Sequence, residues 1–181
     1  DDLYINYEDF KEGKSNLLFI TGLSGSGKST LGRKLAKEHN AEYVELDLLC
    51  EANDPKRIRG TVFEEFVNKF GLDNFNVHNE ELFFEFVSDF LNWVVAEKFN
   101  RRLVIEGIQV FCIGHPEVMK RYPVIIKNTS MLKSMSRAWK RDFDNWKDFI
   151  RYAPQQISWY IDDEIKFRQF KKQLFGYPRF S

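Results

Sequence analysis

Residues 16–35 read NLLFITGLSGSGKSTLGRKL and predict a strand, a loop and a helix in succession. The apolar run at 17–20 is typical of a short strand buried on both faces of a sheet. Residues 30–37 follow a helical pattern, with leucines on one face and basic residues on the other. The loop between these elements, residues 22–29, contains three glycines, three serines, one leucine and one lysine.

This loop fits the pattern G-x-x-x-x-G-K-[ST] at every position. Glycines let a backbone approach a phosphate closely, and the loop amides and helix N-terminus attract the anion. Lys28 would reach the β- and γ-phosphates, and the Ser29 hydroxyl would ligate Mg²⁺. The alternative is a glycine-rich turn before an ordinary helix. The residues expected to bind a nucleoside triphosphate are Gly22, Ser24, Gly25, Ser26, Gly27, Lys28, Ser29 and Thr30.

The stretch GLSGSGKSTL, residues 22–31, resembles the phosphate loop of the small P-loop kinases. It is most similar to the loop of adenylylsulfate kinases and related small-molecule and nucleotide kinases, and a looser resemblance covers about the first 145 residues. The resemblance implies an α/β fold of the P-loop NTPase type, a three-layer parallel sheet of four to five strands flanked by helices. It also implies Mg²⁺ and ATP, with GTP as the alternative. It does not identify the acceptor.

The length of 181 residues and the hydrophobic content of 43% predict a single domain across residues 1–181. Residues 1–15 form an N-terminal arm or a short edge strand. By the resemblance, a helical acceptor-binding insertion occupies about residues 51–99 and a lid about residues 131–145. No apolar run approaches the roughly 20 residues of a membrane span, so we expect no membrane partner. The oligomeric state stays open.

The two cysteines, Cys50 and Cys112, lie far apart beside apolar runs. We interpret them as buried free thiols in a reducing cytoplasm. The net charge is zero, but residues 1–119 carry 13 basic and 21 acidic side chains while residues 120–181 carry 14 and 6. This asymmetry either marks an anion-binding face, with nucleic acid as a weakly supported partner, or lets the two ends neutralise each other.

Residues 41–49, AEYVELDLL, predict the second strand, with Asp47 near its carboxyl end. Ligands of parallel α/β sheets lie beyond the carboxyl ends of the strands. In the kinases that the chain resembles, an acidic residue here often binds or deprotonates the acceptor, so Asp47 is a candidate; a capping role is the alternative. Arg57 and Arg59 follow in a basic loop and are candidates for an anionic acceptor, against a solvated surface.

Residues 102–110, RLVIEGIQV, predict the third strand, which resembles a Walker B strand with Glu106 in place of aspartate. The carboxylate would hold Mg²⁺ through water or orient the attacking group. Gln109 is a possible polar partner in the same crevice.

Residues 122–127 predict a fourth strand, and the helix that follows carries Arg137 and Arg141 one turn apart. This arrangement resembles the lid of P-loop kinases, where arginines clamp the phosphates. A solvated basic helix is the alternative. Further helices are predicted at 61–70, 80–99 and 155–175, and no fifth strand follows the lid.

A phosphotransferase is the first interpretation, with a nucleoside, a nucleotide, a sugar acid, adenylylsulfate or a polynucleotide 5′-hydroxyl as acceptor. A nucleotide-dependent ATPase or GTPase switch is the second, and a degenerate interaction domain is the third. Asp47, Arg137 and Arg141 favour the kinase, which needs an acceptor site and a lid. The intact Lys28–Ser29 pair argues against degeneracy.

Overall fold

A computed structural model describes residues 1–51, 55–71, 80–97, 99–113 and 119–175. The strands are β1 (Leu3–Ile5), β2 (Leu17–Gly22), β3 (Glu42–Glu45), β4 (Leu103–Glu106) and β5 (Val124–Lys127). The helices are α1 (Tyr7–Lys11), α2 (Lys28–Glu38), α3 (Pro55–Ile58), α4 (Val62–Phe70), α5 (Glu80–Ala96), α6 (Gln109–Ile113), α7 (Met131–Asp142) and α8 (Trp146–Phe175), with a 3₁₀ segment at Leu46–Glu51.

The described strands form one sheet in the order β1-β5-β2-β4-β3. Strands β2 to β5 are parallel, and β1 pairs antiparallel with β5 at the edge. The parallel sheet is as predicted. Of the two alternatives for the N-terminal residues, the edge strand is the one observed.

The core lies on both faces of the sheet, which gives three layers. One cluster joins the sheet to α4, α5, α6 and the C-terminal half of α8. A smaller cluster on the opposite face joins Phe10 of α1 and Leu35 of α2 to Leu18, Ile20 and Ile125. Strand β2 lies in the middle of the sheet and is buried along its whole length, because both of its faces are covered.

Two predicted strands were too long. The predicted strand at 41–49 ends at Glu45, and the chain continues as the 3₁₀ segment that carries Asp47. The predicted strand at 102–110 ends at Glu106, and α6 begins at Gln109. Leu46 and Leu49 beyond the first strand and Val110 beyond the second are still buried. A short buried run has the same composition in a strand and in a helix.

The predicted helices at 61–70 and 80–99 correspond to α4 and α5, with residues 72–79 and 98 lying outside the described residues. The helix predicted at 155–175 begins earlier, at Trp146. The side chain of Asn145 accepts hydrogen bonds from the backbone amides of Lys147 and Asp148, each at 3.0 Å, and so caps this helix. The proline at 154 lies inside α8, contrary to the usual expectation that proline ends a helix.

Across the described ranges, none of the helices combines the length and apolar character needed to cross a membrane. Cys112 is only partly buried, which corrects the expectation of a buried side chain. The side chain of Cys50 lies outside the described part of the chain.

Candidate active site

A cavity of about 300 Å³ opens where the phosphate loop, the segment after β3 and helix α7 meet. Its lining residues come from three separate regions of the sequence, and most of them were singled out by motif. They are Ser24, Gly25, Gly27, Lys28, Ser29, Thr30, Glu45, Asp47, Arg137 and Arg141. Folding therefore brings the predicted phosphate loop, acceptor aspartate and lid arginines to one place.

The loop backbone has the conformation that its glycines permit. Gly25 and Gly27 have φ angles of 77° and 93°, in the left-handed region that residues with a Cβ rarely adopt. A Cβ on Gly25 would lie 2.2 Å from the carbonyl oxygen of Ser134 in α7, so only glycine fits there. Helix α2 begins at Lys28 without a side-chain cap, which leaves its first-turn amides for an anion.

Glu106 lies at the end of β4, beside the loop, and only 2% of it is exposed. Its Oε2 atom accepts hydrogen bonds from the Ser29 hydroxyl at 3.2 Å and from the Tyr43 hydroxyl at 2.7 Å. Its Oε1 atom lies 3.7 Å from Lys28 Nζ, which also donates to the Leu23 carbonyl at 3.4 Å. The buried charges of Lys28 and Glu106 thus offset each other, as burial requires.

Sequence reasoning missed Tyr43 as a member of this site. Burial and its hydrogen bond to Glu106 raise the pKa of the Tyr43 hydroxyl, which keeps it protonated and a donor. The ring packs against Gly32 of α2, where a Cβ would lie 2.7 Å from Tyr43 Cε2. Glycine inside a helix costs roughly 1 kcal/mol relative to alanine, so Gly32 was a signal of close packing.

Glu45 is the second functional candidate that the sequence reasoning missed. It lines the cavity two residues before Asp47, and its partner in the parallel register is Glu106. Burial raises the pKa of the Glu45 carboxyl, and the negative charge of Glu106 raises it further. An ion pair with Arg33 at 3.3 Å acts in the opposite direction.

Asp47 is exposed toward the cavity side of the 3₁₀ segment. Its Oδ1 atom accepts a hydrogen bond of 2.7 Å from Nε2 of Gln109, which is 4% exposed. Gln109 Oε1 is buried and has no hydrogen-bond partner. It lies against Gly107, where a Cβ would approach it to 2.3 Å. The end of β4 therefore supplies a carboxylate, Glu106, and the start of α6 supplies Gln109, the donor that orients Asp47.

The lid arginines lie on α7, which packs directly on the loop. Arg137 and Arg141 are exposed toward the cavity, and Arg141 pairs with the neighbouring Asp142, its Nε 2.6 Å from Oδ1. Tyr160 of α8 is buried and donates a hydrogen bond of 3.1 Å to the carbonyl oxygen of Ser24 in the loop. Helices α7 and α8 thus support the cavity from the same side.

The structure does not bring the remaining two candidates to this cavity. Arg57 lies in the short helix α3 and Arg59 directly follows that helix, and both are exposed without lining the cavity. Their assignment to an anionic acceptor stays a prediction.

The residues at the loop fit a hard divalent cation. The hydroxyl of Ser29 and the carboxylates of Glu45 and Glu106 are oxygen donors of the kind that Mg²⁺ prefers. In the described ranges, no cluster of three or more His, Cys, Asp or Glu side chains is arranged to hold a metal.

The central parallel strand, the glycine-rich loop and the helix N-terminus, with a carboxylate on the neighbouring strand, define the class of P-loop nucleotide-binding domains. The model of one protein family, described as an AAA domain, matches residues 11–137. Because this match covers more than half of the chain, the protein belongs to that family.

Curated relatives add a narrower similarity. A shikimate kinase from Bacteroides thetaiotaomicron is 31% identical over 116 residues, which are 58% of this chain and 61% of that protein. A bifunctional shikimate kinase/3-dehydroquinate synthase from Thermotoga maritima is 26% identical over 151 residues, 78% of this chain and 30% of that protein. A shikimate kinase from Chlorobium chlorochromatii is 51% identical over 43 residues, 24% of this chain and 23% of that protein. The chain thus spans less than two thirds of each.

A solved structure confirms the fold. The crystal structure of the shikimate kinase from Bacteroides thetaiotaomicron matches with a TM-score of 0.52 and 22% identity, over 87% of this chain and 81% of that one. The predicted relationship to the small P-loop kinases, which are phosphotransferases, is confirmed by these similarities. These relatives are named for shikimate, not for adenylylsulfate.

Proposed function

We propose that the protein transfers the γ-phosphate of Mg·ATP to a hydroxyl group of a small acceptor. The observation that carries the proposal is the single cavity lined by the phosphate loop, Asp47 and the two arginines of α7. A nucleotide switch needs the loop, but it needs no carboxylate poised for an acceptor hydroxyl. Phosphoryl transfer is catalysed mainly by positioning and electrostatics, which such a cavity provides.

Each group has a role in this proposal. Lys28, Arg137 and Arg141 neutralise the charge on the transferring phosphoryl group. Ser29 and Glu106, with Glu45 beside them, would hold Mg²⁺, which would supply positive charge to the phosphates of the nucleotide.

Asp47 orients the acceptor hydroxyl and accepts its proton, while Gln109 holds the carboxylate in place. Helix α7 covers the loop and limits the access of water, which would otherwise compete with the acceptor.

Shikimate is the first acceptor to test, because the relatives reported above are named as shikimate kinases. Those names refer to a small molecule and give no support to a polynucleotide acceptor. The prediction of ATP, with GTP as the alternative, belongs to the same proposal, since the described residues identify a phosphate site and not a base site.

The experiment measures release of ADP from Mg·ATP by the purified protein, with and without shikimate and a panel of other small hydroxylated acids, sugars and nucleosides. We expect acceptor-dependent ADP release and a phosphorylated acceptor detected by mass spectrometry. Lys28→Ala should lower the rate by about a hundredfold or more. The matched control is Lys34→Ala, on the exposed face of the same helix.

Asp47→Asn separates the acceptor role from nucleotide binding. Transfer to the acceptor should fall by about a hundredfold or more, while the affinity for Mg·ATP, measured by calorimetry, changes little. If ADP release is the same with and without every acceptor, the protein is an ATPase and not a kinase. A parallel series with Mg·GTP tests the nucleotide, and absence of binding to both nucleotides would overturn the proposal.

A further inference from the structure

Helix α8 presents two different faces. Tyr160, Phe167 and Phe170 are buried against the rest of the protein. A second face carries five large apolar residues that are exposed, together with the exposed Pro154. We call this face the exposed stripe, and its large members are Trp146 (67% exposed), Ile150 (60%), Ile157 (39%), Ile161 (45%) and Ile165 (50%).

The exposed stripe follows an 11-residue repeat. Trp146 is followed 11 residues later by Ile157, Ile150 by Ile161, and Pro154 by Ile165. Eleven residues make three helical turns at 3.67 residues per turn, so the positions stay aligned along the helix. The stripe from Trp146 to Ile165 is about 28 Å long at 1.5 Å per residue.

The N-terminal half of α8 contacts the α7 side of the hairpin through the rings of Phe149 and Tyr152, but few of its residues are buried. Between residues 150 and 159, all of which the structure describes, no residue is buried. Helices in proteins are stabilised mainly by packing one face against another element. Contiguous exposed apolar surface rimmed by polar side chains usually marks an interface. The stripe is therefore a candidate interface, and a partner surface would be its occupant.

We propose that the occupant is the same stripe of a second copy, packed antiparallel about a two-fold axis near Gln156. In this register Trp146 of one copy lies opposite Ile165 of the other, and Ile150 lies opposite Ile161. Ile157 lies close to the axis, where it meets the proline of the other copy. A two-fold interface must be self-complementary, and the stripe meets this condition because its positions are placed symmetrically about the point between Gln155 and Gln156.

Charges beside the stripe match the same arrangement. At 100° per residue, Arg151 and Asp162 lie on the same flank of the stripe, and both are exposed. They are placed almost symmetrically about Gln156. Two-fold antiparallel packing brings same-flank residues together, so Arg151 of each copy faces Asp162 of the other, twice in the dimer. The net charge of zero means that two copies do not repel each other at long range.

The first test measures molar mass by light scattering and sedimentation equilibrium over a series of protein concentrations. We expect a monomer–dimer equilibrium that Ile161→Asp shifts toward monomer, raising the dimer dissociation constant by about a hundredfold or more. Leu132→Asp is the matched control, because Leu132 is 68% exposed on α7, outside the stripe. Circular dichroism verifies that each variant is folded. A protein that is monomeric throughout, or a dimer indifferent to Ile161→Asp, overturns the proposal.

A charge exchange tests the register. Arg151→Asp and Asp162→Arg each place like charges opposite one another and should weaken the dimer by about tenfold. The double variant restores opposite charges and should restore wild-type association. Recovery in the double variant cannot arise from misfolding. Additive loss would contradict the antiparallel register. None of these outcomes depends on kinase activity, so the proposed function is tested separately.

Discussion

At the residue scale, Glu106 shows how one side chain organises the loop. Its carboxylate lies within 3.7 Å of the Lys28 ammonium and accepts hydrogen bonds from Ser29 and Tyr43. The strand pattern predicted an acidic residue here. The Tyr43 donor comes from a different strand, β3, which is brought beside β4 only by the sheet.

Glu45→Gln should separate stability from metal binding. The raised pKa of Glu45 means that folding favours its protonated form. The free energy of unfolding should therefore fall as the pH rises through that pKa. The variant should lose this part of the pH dependence, because glutamine does not titrate. Denaturant titrations at several pH values measure it, with the exposed Glu38→Gln as control.

The same Glu45→Gln variant should bind Mg·ATP about tenfold more weakly or worse, if the carboxylate supports the cation. Calorimetry with Mg·ATP and with ATP alone isolates the contribution of Mg²⁺ to the binding affinity. Equal losses with and without Mg²⁺ would exclude a role for Glu45 at the cation.

Gln109→Leu should impair the orientation of Asp47. The variant removes the 2.7 Å hydrogen bond and fills a similar volume, and Oε1 of Gln109 has no partner to lose. We expect the kcat/KM for the acceptor to fall by about tenfold or more while the affinity for Mg·ATP is retained. Steady-state kinetics measure this, with the exposed Gln169→Leu as control. A proportional loss of nucleotide affinity would assign Gln109 a structural role.

At the scale of elements, α7 and α8 form a hairpin beside the phosphate loop. The rings of Trp139 and Phe149 meet edge to face at 4.6 Å, and those of Phe143 and Tyr152 stack at 6.3 Å. This packing sets the position of the two arginines on α7. The turn between the helices is closed by the side chain of Asn145.

Asn145→Ala should therefore destabilise the hairpin. Loss of a helix N-cap costs about 1 kcal/mol, and chemical denaturation followed by circular dichroism measures it. Asn92→Ala is the control, since Asn92 is exposed inside α5, where alanine is the better helix former. Equal stability of both variants would mean that α8 does not depend on this cap.

At the scale of the molecule, the N-terminal residues complete the sheet. β1 covers the edge of β5, and Phe10 of α1 is fully buried in the smaller core cluster. The guanidinium of Arg102 lies 4.1 Å from the centre of the Phe10 ring, and its NH2 group donates to the Phe10 carbonyl. The N-terminal residues are thus packed against the rest of the sheet.

Phe10→Ala should lower the free energy of unfolding by about 3–5 kcal/mol, because it leaves a cavity in a closed cluster. Urea denaturation measures the loss. Tyr4→Ala, at a half-exposed position on β1, should cost much less. If the two variants cost the same, the arm would contribute by strand pairing alone and not by burial of Phe10.

Local sequence patterns were sufficient to predict the site where its residues follow one another directly in the chain. The loop, its strand and its helix occupy residues 16–38, so spacing alone predicted them correctly. The extents of β3 and β4 were wrong, since a buried apolar run does not distinguish a strand from a short helix. Tyr43 and Gln109 had weak signals or none, because their hydrogen-bond partners lie more than 60 residues away in the chain. Glu45 was missed for the same reason, since the sheet alone places it beside Glu106.

By itself the sequence determined that this is a P-loop domain, since a phosphate loop depends on backbone amides and glycines that follow one another directly. Tertiary structure alone decided that β1 takes the edge of the sheet, that Tyr43 and Gln109 orient the two key carboxylates, and that α8 leaves an apolar stripe exposed. The physical reason is that hydrogen bonds and burial act between atoms that are close in space, and only folding brings distant segments of the chain that close.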